Sequence, residues 1–257
     1  MPITSELRAD GIRVVTVSYP PVNALPVAGW FELAAILDEA GRDLATKVVV
    51  LRAEGKGWNA GVDIKEMQHT EGFDALIGAN KGCFAAFKAV YECAVPVIAA
   101  VHGFCVGGGV GLAGNADIVV ASDDAYFGVP EVKQGALGAA THMARLVPQH
   151  LMRTLYFTAR TIKALDLVQH GSVYEVVPRD RLDDAALALA AEIADKDTRV
   201  IRAAKEALNG IDPVDVNKSY RFEQGFTMEL NLAGVSDELR DTFAGTDKAA
   251  TRPGAAR

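Results

Sequence analysis

Cysteine is scarce: Cys83, Cys93 and Cys105 are three in 257 residues, an odd number without C-x-x-C spacing. A disulfide framework and a cysteine zinc site are thereby excluded, and the thiols read as buried in a reducing compartment. Basic side chains are short as well. The 26 Lys and Arg face 33 Asp and Glu, a net charge of −7, and no basic run stands out. This balance excludes nucleic acid or an anionic membrane surface as the main partner, while a small anionic ligand needs only a local basic rim. The opening MPITSELRADGIRVVTVSYP has no apolar run behind a basic start, so no signal peptide is expected and a cytoplasmic location is. The phosphate-loop pattern G-x-x-x-x-G-K-[ST] is absent.

Charge is missing altogether from residues 94–114, where His102 is the single polar side chain. Such a run is long enough to cross a membrane, and Gly103, Gly107 and Gly111 repeat a G-x-x-x-G packing motif. Pro96 and six glycines make one continuous helix poor there. The run reads instead as a buried strand, a glycine turn and the start of a buried helix.

Half of the residues are hydrophobic, enough for one large core with an appendage. Residues 12–19, IRVVTVSY, alternate β-branched side chains and predict a strand ended by Pro20 and Pro21. Residues 27–43 carry apolar side chains at helical spacing. KVVVLRA, residues 47–53, is a continuous apolar run, as expected of a strand buried on both faces. The turn GKGWNAG follows, and VDIKEM opens a helix. Further helices are predicted over 72–93, 143–157 and 164–169, with strands at PVIAAVHG, within ADIVVASDDAYFG and at 171–178. From Leu182 the pattern is helical without strand signals, and the tail 244–257 reads as loose. An α/β fold follows, with a core over 1–181 and a helical module over 182–257.

The six glycines from Gly103 to Gly114 each cost roughly 0.5–1 kcal/mol relative to alanine inside regular structure. Gly109, Gly111 and Gly114 fit the dinucleotide pattern G-x-G-x-x-G, but only Asn115 and Ala116 separate them from the next strand, where that site needs a helix. Tight helix–strand packing alone is a second reading. The third is an oxyanion cradle, in which unpaired N–H groups at a helix start meet a ligand that lies close to the backbone. This third reading gains weight because VVVLRAEGKGWNAGVDIKEM offers a second strand-to-helix turn of the same kind.

Four segments in order resemble the crotonase (enoyl-CoA hydratase/isomerase) superfamily over essentially the whole chain. They are YPPVNAL at 19–25, WNAGVDIKEM at 58–67, VHGFCVGGGVGLAGNADIVVAS at 101–122 and AYFGVPEVKQGALG at 125–138. The resemblance implies the ClpP-like spiral of ββα units, with the helical end building a homotrimer or a dimer of trimers. It implies that the backbone N–H groups of Ala60 and Gly108 form the oxyanion hole for a thioester carbonyl and that Glu131 is the catalytic carboxylate. Around the substrate it places Asn23, Ala24, Gly61, Val62, Asp63, Ile64, Gly107, Gly111, Pro130 and His142, with Lys65 toward the CoA phosphates. No metal and no permanently bound cofactor are implied; coenzyme A arrives as part of the acyl-CoA substrate.

Two departures matter. Hydratases of this superfamily place one water between two glutamates; here the second falls on Glu131 and the first on Gly111, which has no side chain. One glutamate beside an oxyanion hole fits proton transfer next to the thioester, as in the isomerases, and equally a base that activates water for hydrolytic C–C cleavage. His142 is an unusual imidazole near the expected acyl pocket: it assists the base or is a buried, hydrogen-bonded histidine. Asp63 is a helix cap or an acid, and Lys65 a CoA contact or a solvated lysine. Without the motif, Glu131 would read as one more surface glutamate.

The segments WNAGVDIKEMQ, GGGVGLAGN, VPEVKQGALGAATH and EQGFTMELNLAGVSDELRD are similar to one branch, the CoA-thioester hydrolases of bacterial cholesterol catabolism. The implied reaction is hydrolytic, retro-Claisen opening of a ring in a bicyclic indene-carboxyl-CoA, with Gly111 leaving room for the bicycle. Isomerisation or hydration of an enoyl-CoA is the alternative. A silent acyl-CoA-binding homologue is the alternative of another class, and the presence of Glu131 and both turns speaks against it.

Overall fold

The apolar runs become the inner strands of a six-stranded sheet. The computed structural model describes residues 2–70 and 72–243. Its strands are β1 (Ile3–Leu7), β2 (Ile12–Val17), β3 (Val48–Ala53), β4 (Val97–Val101), β5 (Phe104–Val106), β6 (Ile118–Ser122), β7 (Tyr126–Gly128), β8 (Thr161–Lys163) and β9 (Glu175–Val177). The large sheet has the order β1-β2-β3-β4-β6-β9, parallel throughout except for the β1–β2 pair, and β5, β7 and β8 form a small second sheet. In chain order the helices are α1 (Val27–Arg42), α2 (Ile64–His69), α3 (Asp74–Tyr91), α4 (Gly108–Ala113), α5 (Ala140–Met143), α6 (Gln149–Thr158), α7 (Ala164–Val168), α8 (Leu182–Ala194), α9 (Thr198–Ile211), α10 (Val216–Leu232) and α11 (Val235–Phe243).

Side chains alternate faces along a strand, and both faces of the large sheet are covered. Val49, Leu51, Val97, Ala99 and Val101 share a core with Trp30, Leu33 and Leu37 of α1 and Phe87 and Val90 of α3. Their neighbours Val48, Val50, Ile98, Ala100 and Val120 pack instead with Leu182, Ala186, Ala190 and Ala194 of α8. Burial on both sides is why these strands read as unbroken apolar runs. Helix α8, the first element of the expected helical module, is therefore itself a layer of the core.

The spiral sets the site. β4 and β6 each run on into a strand of the second sheet, β5 and β7, which pair in parallel. Each then turns into helical structure, α4 after β5 and a 3₁₀ turn, Pro130–Gln134, after β7. Two successive windings thus deposit their strand-to-helix turns side by side, joined by the Gly107 N–H donating to Gly128 O at 2.9 Å.

Residues 94–114 form β4, β5 and α4, and among the described residues no helix is long and apolar enough to cross a membrane. The helix predicted over 143–157 starts later, as α6 at Gln149 with Pro148 in its N-cap position, and Met143 instead closes the short α5. Three strands escape the sequence pattern. β1 is an edge strand with only Ile3 buried, and β5 and β8 are three residues long. The tail 244–257 lies outside the described residues.

Candidate active site

The first strand-to-helix turn is built around Asn59. Its Oδ1 accepts from Gly61 N–H at 2.8 Å and its Nδ2 donates to Asn23 O at 2.8 Å. Gly61 stands at φ +86°, where a side chain would be strained, and a Cβ there would come within 3.0 Å of Gly108 N. The second turn begins at Gly107, φ +58°, where a Cβ would lie 2.8 Å from Glu131 Oε1. Both turns therefore need glycine to bring backbone against backbone and carboxylate.

Two backbone donors line the resulting cavity. Ala60 N–H reaches Asn23 O only at 3.4 Å, longer than an ordinary N–H···O bond. Gly108 is the first residue of α4, and the first N–H groups of a helix have no intrahelical carbonyl to donate to. The cavity, about 130 Å³, is otherwise largely apolar, with Val62, Ile64, Met67, Cys83, Phe87, Pro130 and Tyr220 in its wall.

Glu131 enters from the 3₁₀ turn. The residue as a whole is half-buried, but Oε2 is fully buried and has no hydrogen-bond partner among the described residues. Burial pushes its pKa up from 4.5 to about 8; its own backbone N–H opposes this and the charge of Glu223 adds to it. A carboxyl tuned near neutrality, in the wall of a cavity that two backbone donors also line, can take a proton from water or carbon while charge develops on a nearby oxygen.

Residues 8–230 match the family Enoyl-CoA hydratase/isomerase. The chain belongs to the enoyl-CoA hydratase/isomerase family. It is 69% identical over 248 residues to the "(7aS)-7a-methyl-1,5-dioxo-2,3,5,6,7,7a-hexahydro-1H-indene-carboxyl-CoA hydrolase" of Rhodococcus jostii, covering 96% of each chain. It is 70% identical over 243 residues to the protein of the same name from Mycobacterium tuberculosis, covering 95% of this chain and 98% of that one. Among solved structures, an enoyl-CoA hydratase/isomerase from Xanthobacter autotrophicus Py2 superposes with a TM-score of 0.83 at 26% identity, over 98% of this chain and 99% of that one.

In this member of the enoyl-CoA hydratase/isomerase family, Ala60, Val62, Ile64, Gly107, Gly108, Pro130 and Glu131 come together around the cavity, with Gly61 against Gly108. Other expected residues lie elsewhere. The Asn23 side chain is fully engaged: Oδ1 accepts from Tyr19 N–H at 2.7 Å, and Nδ2 donates to Glu54 O at 2.7 Å and Gly57 O at 2.8 Å. It braces the Ala60 turn, and its neighbour Ala24 is half-buried outside the cavity wall. Asp63 caps α2 by accepting from Lys65 N–H at 2.9 Å, and Lys65 is exposed on the first turn of that helix.

Two expectations need correction. Gly111 leaves no room for a bicycle, because a Cβ there would already meet the Phe87 ring at 2.2–2.6 Å. Phe87 takes the volume that the missing side chain frees. His142 is buried behind the cavity wall, edge-on to Phe87 and Tyr220 with both ring centroids 4.9 Å away, and does not line the cavity. Burial, and secondarily Arg145, push its pKa down to about 3, so the imidazole is neutral.

Phe87, Cys83, Tyr220 and Glu223 surround the site without having been singled out in the sequence. For α10 a signal existed. Tyr220, Glu223, Gln224, Thr227 and Asn231 recur at helical spacing and are all buried, a polar stripe where a core-facing helix ordinarily shows apolar side chains.

Proposed function

We propose that this chain hydrolyses a bicyclic, steroid-derived CoA thioester of the kind named for its relatives, opening one ring by C–C cleavage. Glu131 takes a proton from water, whose oxygen attacks the ring ketone. The adjacent C–C bond then breaks in a retro-Claisen step, and its electron pair passes through the conjugated ring double bond onto the thioester oxygen. The N–H groups of Ala60 and Gly108 hold that oxygen. Return of a proton to carbon completes the addition of one water, with no net oxidation.

The observation that carries this reading is a single bare carboxylate beside two backbone donors, with Phe87 in the space a second carboxylate would need. Two-carboxylate hydration has no second base here. Coenzyme A enters only as part of the substrate, and exposed Lys65 is suited to its phosphates. The exposed pair Phe222 and Phe226 on α10, ring centroids 5.2 Å apart, supports burial of this helix between copies in a homotrimer or a dimer of trimers. The three free, buried cysteines suit a reducing cytoplasm.

The test incubates the purified protein with the bicyclic CoA ester and, separately, with crotonyl-CoA and a 3-enoyl-CoA, reading products by mass. Ring opening with a gain of one water, lost in Glu131→Gln, is expected. Turnover confined to the straight-chain esters would overturn the reading in favour of isomerase or hydratase chemistry, and binding without any turnover would favour a silent homologue.

A further inference from the structure

Two members of the polar stripe of α10, Glu223 and Thr227, bond one segment of chain, whereas Gln224 donates to Asn80 O. Glu223 receives four donors: Ala140 N–H at 2.9 Å and the Tyr156 hydroxyl at 3.2 Å on Oε1, and Thr141 N–H at 3.2 Å and Thr141 Oγ1 at 3.3 Å on Oε2. Burial raises the Glu223 pKa above 4.5, and the two backbone N–H groups, one on each oxygen, and the two hydroxyls oppose this by favouring the carboxylate. The Tyr156 oxygen in turn accepts from Gly138 N–H at 3.2 Å. One turn along α10, Thr227 brackets Leu137, accepting from its N–H at 3.0 Å and donating to its carbonyl at 2.7 Å. Ser236 of α11 donates to Gly135 O.

Apart from Tyr156, which itself accepts from Gly138, these partners lie in residues 135–141, and that segment closes on Glu131. A Cβ on Gly138 would stand 3.2 Å from Glu131 Oε1 and 3.3 Å from its Cγ, and Ala136, Leu137, Gly138 and Ala139 line the cavity. Glu223 itself does not line it, so it acts on the site through this segment and through its charge.

We propose that Glu223, together with Tyr156 and Thr227, is a positioning residue that seats residues 135–141 against Glu131 and so fixes the Glu131 carboxylate in the cavity wall. The proposal rests on the function given above, in which Glu131 is the base. It has an electrostatic corollary. The titratable groups that face Glu131 are Glu223 and Tyr220 of α10, Tyr156 of α6 and Cys83 of α3, while α11 approaches the segment through the neutral Ser236. Burial pushes both phenols and the thiol up, and of this set it is the charge of Glu223 that raises Glu131, although burial raises Glu223 as well. Neutralising it lets Glu131 ionise at lower pH.

The test compares the full chain with Thr227→Val, Thr227→Ser, Tyr156→Phe and Glu223→Gln on the bicyclic CoA ester. Thr227→Val and Tyr156→Phe keep the charge and should lower kcat about ten- to a hundredfold through misplacement of the segment. KM should move by no more than about twofold, and Thr227→Ser should restore kcat. Glu223→Gln should shift the acid limb of kcat/KM to lower pH, which a merely structural contact would not do. Its amide, turned either way, sets an NH₂ against a backbone N–H, so the threonine and tyrosine variants carry the test if it fails to fold. An infrared titration of the carboxyl band that Glu131→Gln removes needs no substrate, and separates failure of this proposal from failure of the proposed reaction. Unchanged kcat in both Thr227→Val and Tyr156→Phe, or an unmoved band in folded Glu223→Gln, would overturn it.

Discussion

Glu131→Gln should remove activity and, at alkaline pH, stabilise the protein, and both effects have one origin. In the unfolded chain a glutamate releases its proton near 4.5, whereas burial holds Glu131 at about 8 in the fold. Between those values the folded state binds more protons, so stability falls as pH rises. The favourable contribution is complete below 4.5 and gone above about 8. At about 1.4 kcal/mol for each pH unit, the loss amounts to about 5 kcal/mol across that window. The neutral amide of the variant has no such dependence. Urea unfolding should therefore give nearly equal stabilities at about pH 4.5 and a gap of several kcal/mol in favour of Glu131→Gln at about pH 9. The rate follows the same titration in the opposite sense, because only the carboxylate accepts a proton. In the wild type kcat/KM should rise about tenfold for each unit below about pH 7 and level off above about 8. Equal stabilities at alkaline pH, or a rate that is flat from about pH 6 to 9, would refute the assignment of a buried, unpaired base.

Three further substitutions probe the frame. Gly108→Ala puts a Cβ 2.7 Å from Trp30 Cη2, displacing an oxyanion donor, and should lower kcat about 10²–10³-fold, read under substrate saturation. Gly111→Glu drives into the Phe87 ring and should abolish a cooperative thermal transition. Adding Phe87→Ala should restore that transition at a net loss of about 3–5 kcal/mol, and a fully stable single variant would defeat this account of Gly111. Asn23→Ala strands the Tyr19 N–H and the carbonyls of Glu54 and Gly57. It should cost about 2–4 kcal/mol in urea unfolding.

The frame of the site was legible in the sequence because it is made of backbone. Glycines at a strand-to-helix turn have a local cause, and the two turns at Gly61 and Gly107 announce themselves by spacing. The α/β alternation was equally legible, since β3 and β4 are unbroken apolar runs. The walls were not. Phe87 sits at a core-facing position of α3 and looks like any buried aromatic, and its contact with Gly111 spans 24 positions of chain. Glu223 reads as a solvated helix glutamate until α10 is folded back over residues 135–141. Gly111 was misread for the same reason: an absent side chain shows that space is freed, but the sequence does not show what fills it.

Filling that space with a ring rather than a carboxylate narrows the chemistry. A second acid at Gly111 would share a small, largely apolar cavity with Glu131, and two like charges there would raise each other's pKa further. Phe87, flanked by Tyr220 and the neutral His142, makes that wall unable to ionise near neutral pH. On the proposed function the reaction then runs with one carboxylate base and no second carboxylate opposite it. Ring opening of an oxo-acyl thioester meets this condition, because the substrate supplies its own electrophile in the ketone and its own electron sink in the conjugated thioester. The protein need only activate one water and hold one oxygen, the work proposed for Glu131 and for the N–H groups of Ala60 and Gly108.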